Sequence, residues 1–339
     1  MSCASVSFIK KENRPMKNTS TLIILLAGLI ILVPACRSGE EGIPLVGFVD
    51  AFEDSTIEQA KDGFLAALQE NGFSEADRTL EVIYRNAQGD IPTLTQIVRY
   101  MISQEVDLIA TSPSLSTITA VQNTKEIPIF MMVAPTPELM KVQAKDGSDP
   151  PNLYGVAENL NYIDTSFSLI PKLLTVEGRS LKVGLLYNQS EPQSVSAFDR
   201  LQELATRLGV QLVAKPVNTT ADAQMVTGAL LNEDIDAFFA NPDNTVFSSF
   251  ETILKSCNDA QVPIFTSEAG LVQRGAVAAF GADLYQWGYQ AGEQAAEFLK
   301  NKSAEGLQWE MVKLRKRVYN PDVAQRYNID IPAAYDPIN

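Results

Sequence analysis

From residue 44 onward, short apolar runs alternate with amphipathic stretches, and the alternation passes through the chain twice. Apolar, β-branched runs of this kind predict strands buried on both faces. The stretches between them, apolar at helical spacing, predict the helices that cover those faces. In the first half the expected strands are Pro44–Val49, Leu80–Tyr84, Val106–Ala110 and Ile127–Val133, with helices at Ser55–Asn71, Ile91–Ser103 and Ser114–Thr124. In the second half they are Lys182–Tyr187, Val210–Lys215, Ile235–Ala240 and Val262–Thr266, with helices at Ser194–Leu208, Ala221–Leu231 and Asn244–Ala260. A strand at Leu153–Ala157 and a helix at Tyr162–Leu174 join the halves after a turn-rich loop. A strand at Ala276–Phe280, a helix at Tyr285–Leu299 and a strand near Met311–Leu314 follow, and residues 318–339 are expected to wrap the surface.

The halves also match one another. Val106–Pro113 aligns with Ile235–Pro242, and Ile127-Pro-Ile-Phe130 aligns with Val262-Pro-Ile-Phe265 in the same order. Two ordered matches indicate a duplicated lobe. The expected fold class is therefore α/β, with two doubly wound parallel-sheet lobes, and 339 residues suit two domains of ordinary size.

Open parallel sheets bind ligands outside the carboxyl ends of their strands, so two such lobes place the site in the cleft between them. The first lobe offers Phe52 and Asp54 after its first strand, and Ser112, Ser114 and Ser116 where its third strand meets a helix. The second offers Tyr187, Asn188, Asp243, Asn244, Ser267, Glu268 and Asp283. A helix opening at Ser112-Pro-Ser114 presents N–H groups suited to a carboxylate. Asp243, Glu268 and Asp283 at strand ends suit an ammonium group, although each alone is equally explained as a solvated loop acid. Asn244 serves as well as a helix cap. Phe52 and Tyr187 can stack on a planar side chain. Together these residues suit a small zwitterionic ligand.

Several chemistries are excluded. The chain has no histidine, which removes Ser-His-Asp and Cys-His triads and histidine metal sites. A net charge of −14 opposes nucleic-acid binding, which needs clustered Lys and Arg. There is no GxxxxGK[ST] loop and no GxGxxG after the first strand, so no cofactor is expected, nor a metal site, nor an enzyme. Cys257 falls with Phe247, Phe250 and Leu254 on one helix face and reads as a core thiol.

At the amino end Lys17 precedes an uncharged apolar run, Leu22–Val33, closed by Val33-Pro-Ala-Cys36. That run is short for a membrane span and suits a signal segment. The closing tetrapeptide resembles the bacterial lipobox, in which the cysteine receives the lipid. Residues 1–35 are accordingly expected to be a signal peptide, with Met16 a candidate start. Residues 36–42 would form a tether anchored through a palmitate-bearing lipid on Cys36. The protein is then expected outside the cytoplasm, at the membrane.

One ordered set of segments goes further: Lys61-Asp-Gly-Phe64, Ala110-Thr-Ser-Pro-Ser114, Asn241-Pro-Asp-Asn-Thr-Val246, Val262-Pro-Ile-Phe-Thr-Ser267, Arg274–Gly281 and Gly288-Tyr-Gln-Ala-Gly292. It resembles the substrate-binding lipoproteins of ABC importers, in the branch of tryptophan- and tyrosine-type binding proteins, over about residues 43–317. The resemblance implies the type I periplasmic-binding architecture, with a hinge of three crossovers. Lobe 1 would hold 43–158 and 284–305, and lobe 2 would hold 159–283 and 306–339. It implies a receptor that closes on an amino acid, aromatic ones first, and delivers it to an ABC permease and its ATPase. A monomer is expected. The alternative is a ligand-sensing lipoprotein that feeds a membrane signalling receptor.

Overall fold

The structure is a computed structural model that describes residues 42–338; the expected signal segment and the tether up to Glu41, with its Cys36, lie outside the described residues. The chain opens with β1 (Leu45–Asp50), α1 (Ser55–Glu70), β2 (Glu81–Asn86), α2 (Ile91–Ser103), β3 (Leu108–Ser112), α3 (Ser114–Asn123), β4 (Ile129–Pro135) and β5 (Leu153–Glu158). There follow α4 (Asn161–Leu173), β6 (Lys182–Tyr187), α5 (Pro192–Leu208), β7 (Gln211–Pro216), α6 (Ala223–Leu231) and β8 (Ala237–Ala240). Next come α7 (Asn244–Ser248), α8 (Phe250–Asp259), β9 (Ile264–Thr266), α9 (Ala269–Gln273), β10 (Ala278–Ala282) and α10 (Leu284–Asn301). The chain ends with β11 (Glu310–Met311), β12 (Arg315–Tyr319), α11 (Pro321–Arg326) and β13 (Asp336–Pro337).

The first sheet has six strands in the order β11-β5-β4-β3-β1-β2, and every pair in it is parallel. A four-stranded parallel sheet, β7-β6-β8-β9, forms the second lobe. Beside it stands a three-stranded sheet, β10-β12-β13, in which β12 runs antiparallel to β10. Phe48, Phe64 and Phe130 are fully buried in the first lobe; Phe167, Phe239 and Phe265 are fully buried in the second.

α1 and α10 lie against each other at unusually close range. A Cβ on Gly288 would stand 1.7 Å from the Ala60 carbonyl oxygen, and one on Gly63 would stand 1.9 Å from that of Tyr285. Only hydrogen fits at these two crossings. This contact returns α10 to the first lobe although it follows β10 of the second.

The chain passes between the lobes three times, at Glu158–Asn161, Ala282–Leu284 and Met311–Arg315. The three passages are tied together. Arg315 donates to both oxygens of Glu158, each at 2.7 Å, while Lys316 pairs with Asp283 at 2.5 Å. Because β11 pairs with Val156 and Ala157, the first sheet keeps the chain through Met311, past the expected boundary at 306.

Two further expectations need correction. The single helix expected over Asn244–Ala260 is two helices that meet at Ser249, whose φ of −106° and ψ of 9° depart from helical geometry. Residues after 318 are more than a surface wrap, since β12 completes a sheet and α11 and β13 follow it.

Candidate functional site

An interlobe cavity of about 50 Å³ lies beside the hinge, below the usual range of ligand pockets, so a ligand would have to part the lobes to occupy it. Its apolar wall comes from Val133, Ala134, Pro135, Leu160, Phe247 and Trp287, and its polar groups from both lobes. Among the described residues no basic side chain lines it, whereas Glu158, Asp243 and Glu268 do.

The polar groups fall into two clusters. In the first, the Asn244 side-chain amide donates to Ser114 Oγ at 3.1 Å across the cleft and to Glu191 Oε2 at 2.8 Å. Gln193 Nε2 donates to the same Glu191 oxygen at 2.7 Å. α3 begins at Ser114 with no side-chain cap, so its first N–H groups and its positive dipole end are open to an anion. Burial, and then the negative charge of Asp243, push the Glu191 carboxyl upward.

In the second cluster the Tyr162 hydroxyl donates to Glu268 Oε1 at 2.9 Å. Burial pushes the Glu268 carboxyl up to about 7. Burial also raises Glu158, outweighing the hydrogen bonds and charge of Arg315. Trp287 is anchored by its indole N–H, which donates to the Val156 carbonyl at 2.8 Å.

Against known families, residues 46–335 match the model for ABC transporter substrate binding protein. The chain belongs to that family. As a substrate-binding protein it is the extracytoplasmic, solute-binding component of an ABC transporter. It is 33% identical over 261 residues, 76% of its length, to a protein of Clostridioides difficile (strain R20291) named tyrosine-binding protein, of which 73% is covered. Among solved structures, an ABC domain in complex with L-Trp from Streptococcus pneumonia matches with a TM-score of 0.78 at 22% identity, covering 87% of this chain and 99% of that one. The ligand-free, open structure of a Clostridium difficile substrate-binding protein with adhesive properties matches with a TM-score of 0.62 at 25% identity, covering 88% and 99%. These likenesses establish the type I periplasmic-binding fold anticipated from the motifs.

Four of the expected site residues of this substrate-binding protein line the cavity: Ser114, Asp243, Asn244 and Glu268. Phe52 and Asn188 line instead a wider recess at the mouth of the cleft, together with Glu53, Glu191 and Thr245. The others lie outside the lining of both. Asp54 caps α1 and pairs with Arg274 of the opposite lobe at 2.7 Å. Ser116 donates to the Ser112 carbonyl at 2.8 Å, and both serines are buried behind the α3 terminus. Tyr187 stacks on Phe198 with ring centroids 4.5 Å apart. Ser267 is buried outside the cavity lining but donates its hydroxyl to Glu268 Oε1 at 3.4 Å, and Asp283 caps α10 and pairs with Lys316 at the hinge.

Asp243 lines the cavity, but its carboxylate is engaged. It accepts from Asn188 N–H at 2.6 Å, Ser194 Oγ at 2.5 Å and Val246 N–H at 2.9 Å. Residues not anticipated singly are Glu158, Tyr162, Gln193 and Trp287. The first two sit at a crossover and the third at a helix start, and their approach to the cleft depends on lobe packing rather than on strand-end position.

Proposed function

We propose that this substrate-binding protein captures an aromatic amino acid, tyrosine first, and presents it to an ABC permease. The observation that carries the reading is the cavity's polarity. An uncapped helix terminus at Ser114 suits the α-carboxylate. A lining with carboxylates and no basic side chain suits the α-ammonium, and the walls of Phe247, Leu160 and Trp287 suit an aromatic ring. The 33% identity to a protein named for tyrosine binding supports the same class.

Isothermal titration of residues 37–339 with L-tyrosine, L-tryptophan, L-phenylalanine, L-leucine and a hexose tests it. Saturable heat with the aromatic amino acids alone is expected, and the ligand should be recovered unchanged after incubation. Binding of the hexose alone, or chemical conversion of the ligand, would overturn the reading.

The lipid anchor on Cys36 and a monomeric state belong to the same proposal. Cys36→Ser should abolish incorporation of labelled palmitate and release the protein from the membrane fraction. Light scattering should return the mass of one chain.

A further inference from the structure

Gln193 lines the cavity, and its side-chain amide has one half bound and one half unmet. It is 5% exposed, its Nε2 is held by Glu191, and its buried Oε1 has no partner among the described residues. A buried acceptor left unpaired is costly, so native proteins rarely keep one without use for it.

The orientation of the amide follows from its neighbour. Glu191 Oε2 already accepts the Asn244 backbone N–H at 3.0 Å and the Asn244 side-chain amide at 2.8 Å. Two N–H donors converging on that oxygen make it an acceptor whether or not the carboxyl carries a proton, since a proton would reside on Oε1. Gln193, one of the residues that line the cavity, must therefore turn its NH₂ to Glu191 and leave its carbonyl oxygen unmet. Turned the other way, it would set two acceptors face to face.

The place of that oxygen relative to the ligand also follows. Gln193 and Asn244 hang from one oxygen of Glu191, and Asn244 reaches Ser114 at the start of α3. Gln193 thus belongs to the end of the cavity where the helix terminus receives a carboxylate. Glu268, Tyr162 and Trp287 belong to the other cluster. In an α-amino acid the group next to the carboxylate that can donate is the ammonium.

We propose that Gln193 determines specificity by accepting a hydrogen bond from the ligand's α-ammonium, so that the cavity selects amino acids over the corresponding acids without nitrogen. This rests on the amino-acid reading above.

The test compares L-tyrosine with 3-(4-hydroxyphenyl)propanoate and with L-phenylalanine by titration calorimetry, in wild type, Gln193→Leu and Gln193→Met. Glu191 Oε2 keeps both Asn244 donors in either variant, and a thermal melt reports which variant retains the fold. Wild type should prefer L-tyrosine to the propanoate by about 100-fold, and the variants should reduce that ratio to about tenfold or less, on the usual worth of a hydrogen bond to a charged group. An unchanged ratio in the folded variants overturns the proposal. So does a collapse of the tyrosine-to-phenylalanine ratio in its place, which would put the Gln193 oxygen on the phenol. Absence of heat from wild type with either amino acid is the separate result that removes the amino-acid reading itself, and this proposal with it.

Discussion

Asp54→Asn separates closure of the lobes from contact with the ligand. Asp54 Oδ1 accepts the N–H groups of Thr56 and Ile57 at 2.9 and 3.0 Å, while Oδ2 receives Arg274 Nη1 at 2.7 Å across the cleft. The carboxylate is 2% exposed and the guanidinium 14%, and neither residue lines the cavity. Around this pair the lobes are in close contact, since a Cβ on Gly270 would stand 2.0 Å from Thr56 Cγ2. Asparagine is as good a helix cap as aspartate, so α1 and the fold are preserved. What changes is the closed state, where a neutral amide meets Arg274. Breaking a buried pair by removing one charge costs about 3–5 kcal/mol. Here Arg274 keeps Glu251, at 2.8 Å, so a loss of about 2 kcal/mol from the closed form is the reasoned figure. For a receptor that is mostly open without ligand, the whole loss appears in the apparent affinity, a weakening of about 30-fold. Calorimetry of L-tyrosine binding measures it, with the ligand-free Tm as control. The Glu251→Gln variant, whose carboxylate is 68% exposed, should bind within about threefold of wild type. Asp54→Asn binding within threefold of wild type, at an unchanged Tm, would refute the assignment of this pair to closure.

Three further outcomes are expected. Gly288→Ala forces a methyl into the Ala60 carbonyl and should destabilise by about 1–3 kcal/mol despite the better helix propensity of alanine, read from urea midpoints. Stability should fall as pH rises from about 4.5 to about 7, because burial lifts Glu268 and Asp50 to about 7 in the folded protein. In that window the folded state holds protons that the unfolded state has released, so the Tm should be several degrees higher at pH 5 than at pH 8, and Glu268→Gln should flatten the slope. Cys257 is fully buried and its thiol is pushed up to about 12, so a thiol reagent should react with it only after denaturant is added.

Local pattern located the elements well where one face of each had a single neighbour. Ile91–Ser103 and Lys182–Tyr187 coincide with their expected limits, the first bounded by the Asp90 cap and the second set by a continuous apolar run, Val183–Leu186, buried throughout. The pattern was silent where pairing is distant. β12, Arg-Lys-Arg-Val-Tyr, is mostly charged and carries no strand signal, yet it pairs with β10 through Ala278↔Tyr319. The break at Ser249 was hidden for a related reason. Phe247, Phe250 and Cys257 remain buried on both sides of it, so the periodicity runs on while the backbone turns.

The acids at strand ends show the same limit at the site. Asp243, Glu268 and Asp283 occupy equivalent places in the sequence pattern, and only their tertiary partners distinguish them. Asp283 meets Lys316, Asp243 meets three donors of its own lobe, and Glu268 receives the hydroxyls of Tyr162 and Ser267 and lines the cavity. That difference gives a physical account of why closure should need a ligand. In the closed arrangement Glu158 has Arg315, but among the described residues Glu268, Glu191 and Asp243 meet neutral hydrogen-bond donors and no cation. Burying them is unfavourable, as the upward pKa displacement of each records. Opening the cleft returns that electrostatic cost to water, and an ammonium bound between the lobes offsets it instead. Differential affinity for the closed state, the only means by which a ligand can shift such an equilibrium, then comes from the acids rather than from the apolar walls.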